Sequence, residues 1–154
     1  MIPQSLYIDL DNVLADFNDG IRNHPLAKDK TYKGQPHLLP NIYLELKPVY
    51  KAKEAIEILN QSEKLDCFIL STSPWDHPEA WMHKRIWVEK HFGNTFRKKL
   101  ILTHRKDLVK GDYLIDDSAR NGAKDFEGVW LQFGSKEYPD WNSILNYFRS
   151  KNVI

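Results

Sequence analysis

Five short apolar runs punctuate this chain: SLYI (5–8), CFIL (67–70), LIL (100–102), YLI (113–115) and VWLQF (129–133). Each is too short for a buried helix and is bounded by polar or turn residues, the pattern of strands covered on both faces. Between the first two runs, Val49, Ala52, Ile56 and Leu59 share one helical face, with Pro48 where a first turn tolerates proline. The spacing predicts a second helix from Pro78 to His91, stopped by Gly93, and a terminal helix carrying Trp141, Ile144, Leu145 and Phe148. Strands alternating with helices need crossover connections, which predicts an α/β domain with a mostly parallel sheet.

At 154 residues the chain fits one domain with a real core. Its 22 basic and 21 acidic side chains leave a formal charge of +1, so no global field selects nucleic acid or a membrane surface. The densest basic stretch, FRKKL (96–100), reads as a solvated helix-to-strand connection. Cys67 is the single cysteine, which excludes an intrachain disulfide and suits a buried, inert thiol. No run of 18 apolar residues occurs, and the first ten residues lack the basic and apolar regions of a secretory signal. The expectation is a cytoplasmic protein with no membrane partner and no stable nucleic-acid partner. Five tryptophans (Trp75, Trp81, Trp87, Trp130 and Trp141) leave room for a homo-oligomer interface or for a pocket lining.

One segment breaks the alternation. Residues 18–47 hold Pro25, Pro36, Pro40 and a Lys28-Asp29-Lys30 cluster, without a sustained period. A connection of this length inside a compact domain is often a functional lid. The expected organisation is therefore a core of residues 1–17 and 48–154 with a small cap insertion at 18–47. A plain surface excursion is the alternative.

Reactive side chains gather at the strand ends, where ligands bind in open α/β sheets. The first run leads into Asp9 and Asp11, the second into Ser71, Thr72 and Ser73, the third into His104, Arg105 and Lys106, and the fourth into Asp116 and Asp117. A carboxylate removed from water costs several kcal/mol unless paired or bound to a cation. Clustered carboxylates with no thiolate and no paired histidines favour a hard cation, Mg²⁺. A phosphoryl group could then bridge that metal, the Thr72 hydroxyl and the Lys106 ammonium, whose charges neutralise its oxygens. An aspartate can attack phosphorus, and a second carboxylate can protonate the leaving oxygen and later activate water. Response-regulator receiver domains use similar residue types, but their paired acids come first and their lysine last. Here the DxD opens the series and the DD pair closes it.

That order resembles the haloacid dehalogenase superfamily of phosphohydrolases, with DLDNVLADF, LSTSP, Lys106 and LIDD in the places of its four motifs. More narrowly, DLDNVLADF, STSPW, KRIWVEKHFG (84–93) and LILTHRKDLVKGDYLIDDSARN (100–121) resemble the 5′(3′)-deoxyribonucleotidase family. The resemblance implies a Rossmann-like three-layer α/β/α domain and a phosphatase of nucleoside monophosphates. Asp9 would be the nucleophile and Asp11 the general acid/base. The metal would be held by Asp9, the Asp11 carbonyl and Asp116, with Asp117 beside them. Thr72 and Lys106 would grip the phosphoryl group next to Ser73. The resemblance also places Phe17 against the base and Lys84 near the phosphate, and leaves Asp16 to local structure.

Three departures from the family pattern stand out. Asn12 replaces the glycine after the second aspartate, His104 replaces an arginine, and the 18–47 insert is short, without counterparts for the cap's base-stacking residues. A reduced cap would admit bulkier substrates, such as an oligonucleotide end, a phosphoprotein or a sugar phosphate. A catalytically idle nucleotide-binding member is the remaining alternative.

Overall fold

The computed structural model describes residues 2–154. Five strands form one sheet: β1 (Gln4–Ile8), β2 (Leu65–Ser71), β3 (Leu100–Leu102), β4 (Tyr113–Asp116) and β5 (Val129–Gln132). All pairings are parallel, in the order β3-β2-β1-β4-β5. β1 lies at the centre, with Ile8 opposite Ile69 of β2 on one side and Ile115 of β4 on the other. Every apolar run thus becomes a strand. The outer strands are only partly covered, β5 having Val129 exposed, as expected for sheet edges.

Four α-helices accompany the sheet: α1 (Phe17–Asn23), α2 (Ala52–Asn60), α3 (Pro78–Phe92) and α4 (Trp141–Ser150). Leu6 and Ile8 of β1 share one buried cluster with Ile56 and Leu59 of α2, Trp87 of α3, and Ile144 and Phe148 of α4. The other sheet face buries Tyr7, Leu70 and Leu114 against Ala123 and Phe126. That face is covered by short 3-10 turns at Lys106–Leu108 and Ala123–Asp125 and not by α-helices, so this outer layer is thin.

Local chemistry sets the helix ends. Pro78 opens α3, and Gly93 closes it at φ +56°, donating to the Glu89 carbonyl. Asp140 and Ser143 form a reciprocal capping box at α4. The expected start of α2 at Pro48 is corrected. Pro48 pairs with Ala15, Val49 donates to the Leu14 carbonyl at 2.8 Å, and the helix begins only after Lys51 in left-handed conformation. The chain is still returning from the insert at Pro48.

The 18–47 segment holds more structure than its lack of period suggested. α1 covers its first residues and is capped by Asp16, whose carboxylate accepts from the Asp19 N–H at 3.0 Å. Two turns are too few to print a helical period. Further on, Leu39, Ile42, Tyr43 and Leu46 bury into the same core as β1. The indole of Trp87 donates to the Leu46 carbonyl at 2.8 Å, and His77 Nδ1 donates to the His37 carbonyl at 2.8 Å. No helix among the described residues is long and apolar enough to cross a membrane.

Candidate active site

Strand order reverses at β1, since the chain runs outward to β3 and then returns to the other side for β4 and β5. A crevice opens at the carboxyl ends where neighbouring connections diverge. Asp9 follows β1 directly, and its N–H donates to the Ile115 carbonyl at 2.9 Å. Asp116 is the last residue of β4, and its carboxylate accepts from the Ser118 N–H at 3.0 Å. The backbone thus brings the DxD and DD motifs together. Asp9, Asp116 and Asp117 each offer a carboxylate oxygen within 4.8 Å of the other two.

Lys106 reaches this group from the 3-10 turn after β3. Its Nζ lies 3.2 Å from Asp9 and 2.5 Å from Asp116, with the side chain 3% exposed. The turn is held by the Lys106 N–H, which donates to the Asn121 carbonyl at 2.8 Å. Gly122 makes this approach possible. Its φ is +83°, and a β-carbon there would fall 2.3 Å from the Asp107 carboxylate.

Burial drives the electrostatics of the cluster. It pushes the Asp116 carboxyl up to about 7, reinforced by the charge of Asp9 and opposed by Lys106. Burial and the charges of Asp9 and Asp11 push Asp117 up to about 6. Burial alone would lower the Lys106 ammonium, but Asp9 and Asp116 outweigh it and the net direction is upward. Three carboxylates against one ammonium leave an excess of negative charge on hard oxygens. That donor set fits a hard divalent cation.

Asp11 occupies a different environment. Its Oδ2 accepts from Lys84 Nζ at 2.9 Å, while its Oδ1 is buried without a hydrogen-bond partner. Burial raises the Asp11 carboxyl above the usual range, with the Lys84 ammonium pulling the other way and Asp9 pushing it further up. Lys84 is 2% exposed and is held by Ser71 Oγ at 3.2 Å, the Thr72 carbonyl at 2.6 Å and the Tyr43 ring, 4.8 Å below Nζ. Two aspartates two residues apart in one loop are therefore paired with two different lysines.

The turn that follows Asp11 explains Asn12. Its φ is +61°, a left-handed conformation that glycine adopts freely and asparagine tolerates better than most residues. Its Oδ1 accepts from the Asn18 N–H at 3.0 Å, tying the loop to the first turn of α1. From below, the Trp141 indole donates to the Val13 carbonyl at 2.9 Å. Trp130 does the same for Asp116, at 3.1 Å.

These groups line a cleft of about 660 Å³, a size suited to a small-molecule ligand. Asp9, Asp11, Phe17, Thr72, His104, Lys106, Asp116 and Asp117 all border it. Two expected substrate contacts do not reach it. Ser73 is fully buried with its hydroxyl unpartnered, and Lys84 lies beneath Asp11, not on the cleft wall. The Thr72 hydroxyl donates to the Thr103 carbonyl at 2.7 Å, linking the β2 and β3 ends. Tyr43, which sequence reasoning passed over, stacks on Phe17 with centroids 5.4 Å apart and planes 8° from parallel. Its only signal was an aromatic within an aperiodic segment. Trp75, Arg120 and Asn121 also border the cleft from loops whose placement no local pattern encodes.

Comparison with known proteins agrees with this geometry. Residues 21–142 match the sequence profile of the family described as 5′ nucleotidase, deoxy (Pyrimidine), cytosolic type C protein. A Vibrio phage KVP40 protein provisionally named 5′(3′)-deoxyribonucleotidase is 46% identical, covering 96% of this chain and 85% of its own. The Homo sapiens 5′(3′)-deoxyribonucleotidase of cytosolic type is 30% identical, covering 90% of this chain and 77% of its own. Among solved structures, the Bacillus subtilis HAD-hydrolase YfnB, bound to magnesium, superposes with a TM-score of 0.62 at 10% identity, covering 96% of this chain and 99% of that one. A haloacid dehalogenase-like hydrolase from Streptococcus pneumoniae gives 0.60 at 11% identity, covering 94% and 90%. The fold is thus that of the haloacid dehalogenase-type hydrolases, and the chain belongs to the 5′(3′)-deoxyribonucleotidase family.

Proposed function

We propose that this protein is a Mg²⁺-dependent phosphomonoesterase that removes phosphate from deoxynucleoside monophosphates through an aspartyl-phosphate on Asp9. The observation that carries the reading is the pairing of two carboxylates, two residues apart, with separate partners. Asp9 sits beside Lys106 and the Asp116–Asp117 pair, and Asp11 sits on Lys84 with its proton affinity raised by burial. Two carboxylates in divergent environments are what nucleophile and general acid require.

In the first half-reaction an Asp9 oxygen attacks phosphorus, forming the acyl-phosphate as the ester P–O bond breaks. Asp11 gives its proton to the departing sugar oxygen. In the second, Asp11 takes a proton from a water that attacks phosphorus. The bond to Asp9 breaks, and inorganic phosphate leaves. The Lys106 ammonium offsets negative charge on the transferring group, and Lys84 fixes Asp11 toward the cleft. Asp9, the Asp11 carbonyl and Asp116 would hold Mg²⁺, with Asp117 beside them; when bound, the cation supplies Lewis-acid neutralisation of phosphoryl oxygens. The bound magnesium of YfnB supports this choice of ion.

The insert at 18–47 acts as the cap, with residues 1–17 and 48–154 as the catalytic core. Phe17, stacked on Tyr43, meets the base, and His104 borders the substrate from the opposite loop. Burial pushes the Cys67 thiol up to about 12 and keeps it inert, and a single unpaired cysteine fits the reducing cytoplasm in which we place the protein.

The test is a phosphate-release panel with added Mg²⁺, comparing deoxynucleoside monophosphates, 5′- and 3′-phosphorylated oligonucleotides, a phosphopeptide and sugar phosphates. Preference for the mononucleotides is expected. A strong oligonucleotide or phosphopeptide preference would replace the substrate assignment, and no release from any substrate would overturn the enzymatic reading.

A further inference from the structure

The five tryptophans divide four to one. Trp81, Trp87, Trp130 and Trp141 each donate their indole N–H to a backbone carbonyl, those of Pro74, Leu46, Asp116 and Val13. Two of these bonds, at Pro74 and Asp116, hold residues that line the cleft. Trp75 is the exception: among the described residues its indole has no hydrogen-bond partner, it is 78% exposed, and it borders the same cleft as Asp9 and Lys106.

The loop that carries Trp75 is braced on both sides. Pro74 before it is held by the Trp81 indole at 3.0 Å, and His77 after it by the His37 carbonyl at 2.8 Å. The His104 ring stands with its centroid 6.3 Å from Trp75 and 5.8 Å from Trp81. A braced loop that presents an indole open on its face places a flat stacking surface at the cleft with little backbone rearrangement on contact. Across the floor carboxylates, the Phe17–Tyr43 stack contributes aromatic surface to the same cleft.

We infer that the Trp75 indole, backed by His104, is a stacking platform for the nucleobase of the substrate, supplied by the β2–α3 loop of the core and not by the insert. The inference rests on the nucleotidase reading and goes beyond it. It assigns recognition of the base to a second core residue, across the cleft from Phe17, and makes the site selective for phosphates that carry an aromatic base. Stacking surfaces of this kind accept any base, since every base has a π-face, so selection among bases lies elsewhere.

The experiment compares kcat/KM for deoxynucleoside 5′-monophosphates with that for 2-deoxyribose 5-phosphate, in the unaltered protein and in Trp75→Ala and Trp75→Phe. The nucleotide-to-sugar-phosphate ratio should fall about tenfold or more in Trp75→Ala, carried by KM, and recover most of the way in Trp75→Phe. A second readout needs no turnover: nucleotide binding to Asp9→Asn should quench tryptophan emission, and the quench should largely vanish in Asp9→Asn/Trp75→Phe. A preference for nucleotides that survives Trp75→Ala with an unchanged ratio overturns the platform and leaves the nucleotidase reading standing. An unaltered protein that hydrolyses the sugar phosphate but neither hydrolyses nor binds nucleotides overturns both.

Discussion

The floor of the cleft and its rim are built in opposite ways. The floor consists of strand ends locked by sheet hydrogen bonds, with Asp9, Asp116 and Lys106 almost wholly buried and charged groups in contact. The rim consists of loops and short helices: α1, the turns of the insert, and the exposed Trp75. Burial raises the free energy of unpaired charge on the floor, so its geometry tolerates little change. The rim bears no such constraint. On this reading the floor sets the reaction and the rim sets the substrate.

The largest break should come at the floor. Asp9→Asn keeps the size of the side chain but removes the attacking oxygen's charge, and phosphate release should fall by about four orders of magnitude or more. Lys106→Met should follow, with kcat down about 10²- to 10³-fold, because a preorganised charge facing the phosphoryl group is lost. If that variant turned over at the unaltered rate, the floor would not be working as proposed. A rim change should look different: Phe17→Ala should raise KM for nucleotides about tenfold or less, with kcat nearly preserved.

A pH experiment separates floor from rim by another route. The folded-state pKa values of Asp116 and Asp117, about 7 and about 6, exceed the ordinary carboxylate value. Their contribution to the stability of the metal-free protein is present at acid pH and is lost as pH rises through those values. Metal-free Tm should therefore decline between pH 5 and pH 8. Added Mg²⁺ should raise Tm more at pH 8, where few protons compete for the carboxylates. Equal gains at both pH values would contradict the cluster as the metal site. The smallest effect is expected at Asn12. Asn12→Ala leaves an unsuitable residue at φ +61° and removes the bond to Asn18, costing about 1–2 kcal/mol. Thermal unfolding should read this as a Tm lower by roughly 2–8 °C. Asn12→Gly should keep the backbone and lose only the side-chain tie.

What was legible in the sequence follows the same division. Strands and their reactive ends are short, local patterns, so all five strands and all four acids of the floor could be read directly. Asn12 looked like an unexplained departure because its meaning lies in a backbone angle and in a partner six residues away. Lys84 read as a residue near the phosphate, while its depth beneath Asp11 depends on how α3 packs against β2. The exposure of Trp75, the Phe17–Tyr43 stack and the start of α2 after Lys51 are likewise products of tertiary packing. No window of local sequence contains them.

The central claim is that phosphate passes through Asp9. Protein quenched during turnover of a deoxynucleoside monophosphate and treated with borohydride should contain homoserine at residue 9, read by peptide mass spectrometry, since borohydride reduces an acyl-phosphate but not a free carboxylate. That conversion is expected at Asp9 alone, and only when substrate and Mg²⁺ are both present. Conversion at Asp11, Asp116 or Asp117 instead, or full turnover with residue 9 never modified, would contradict it.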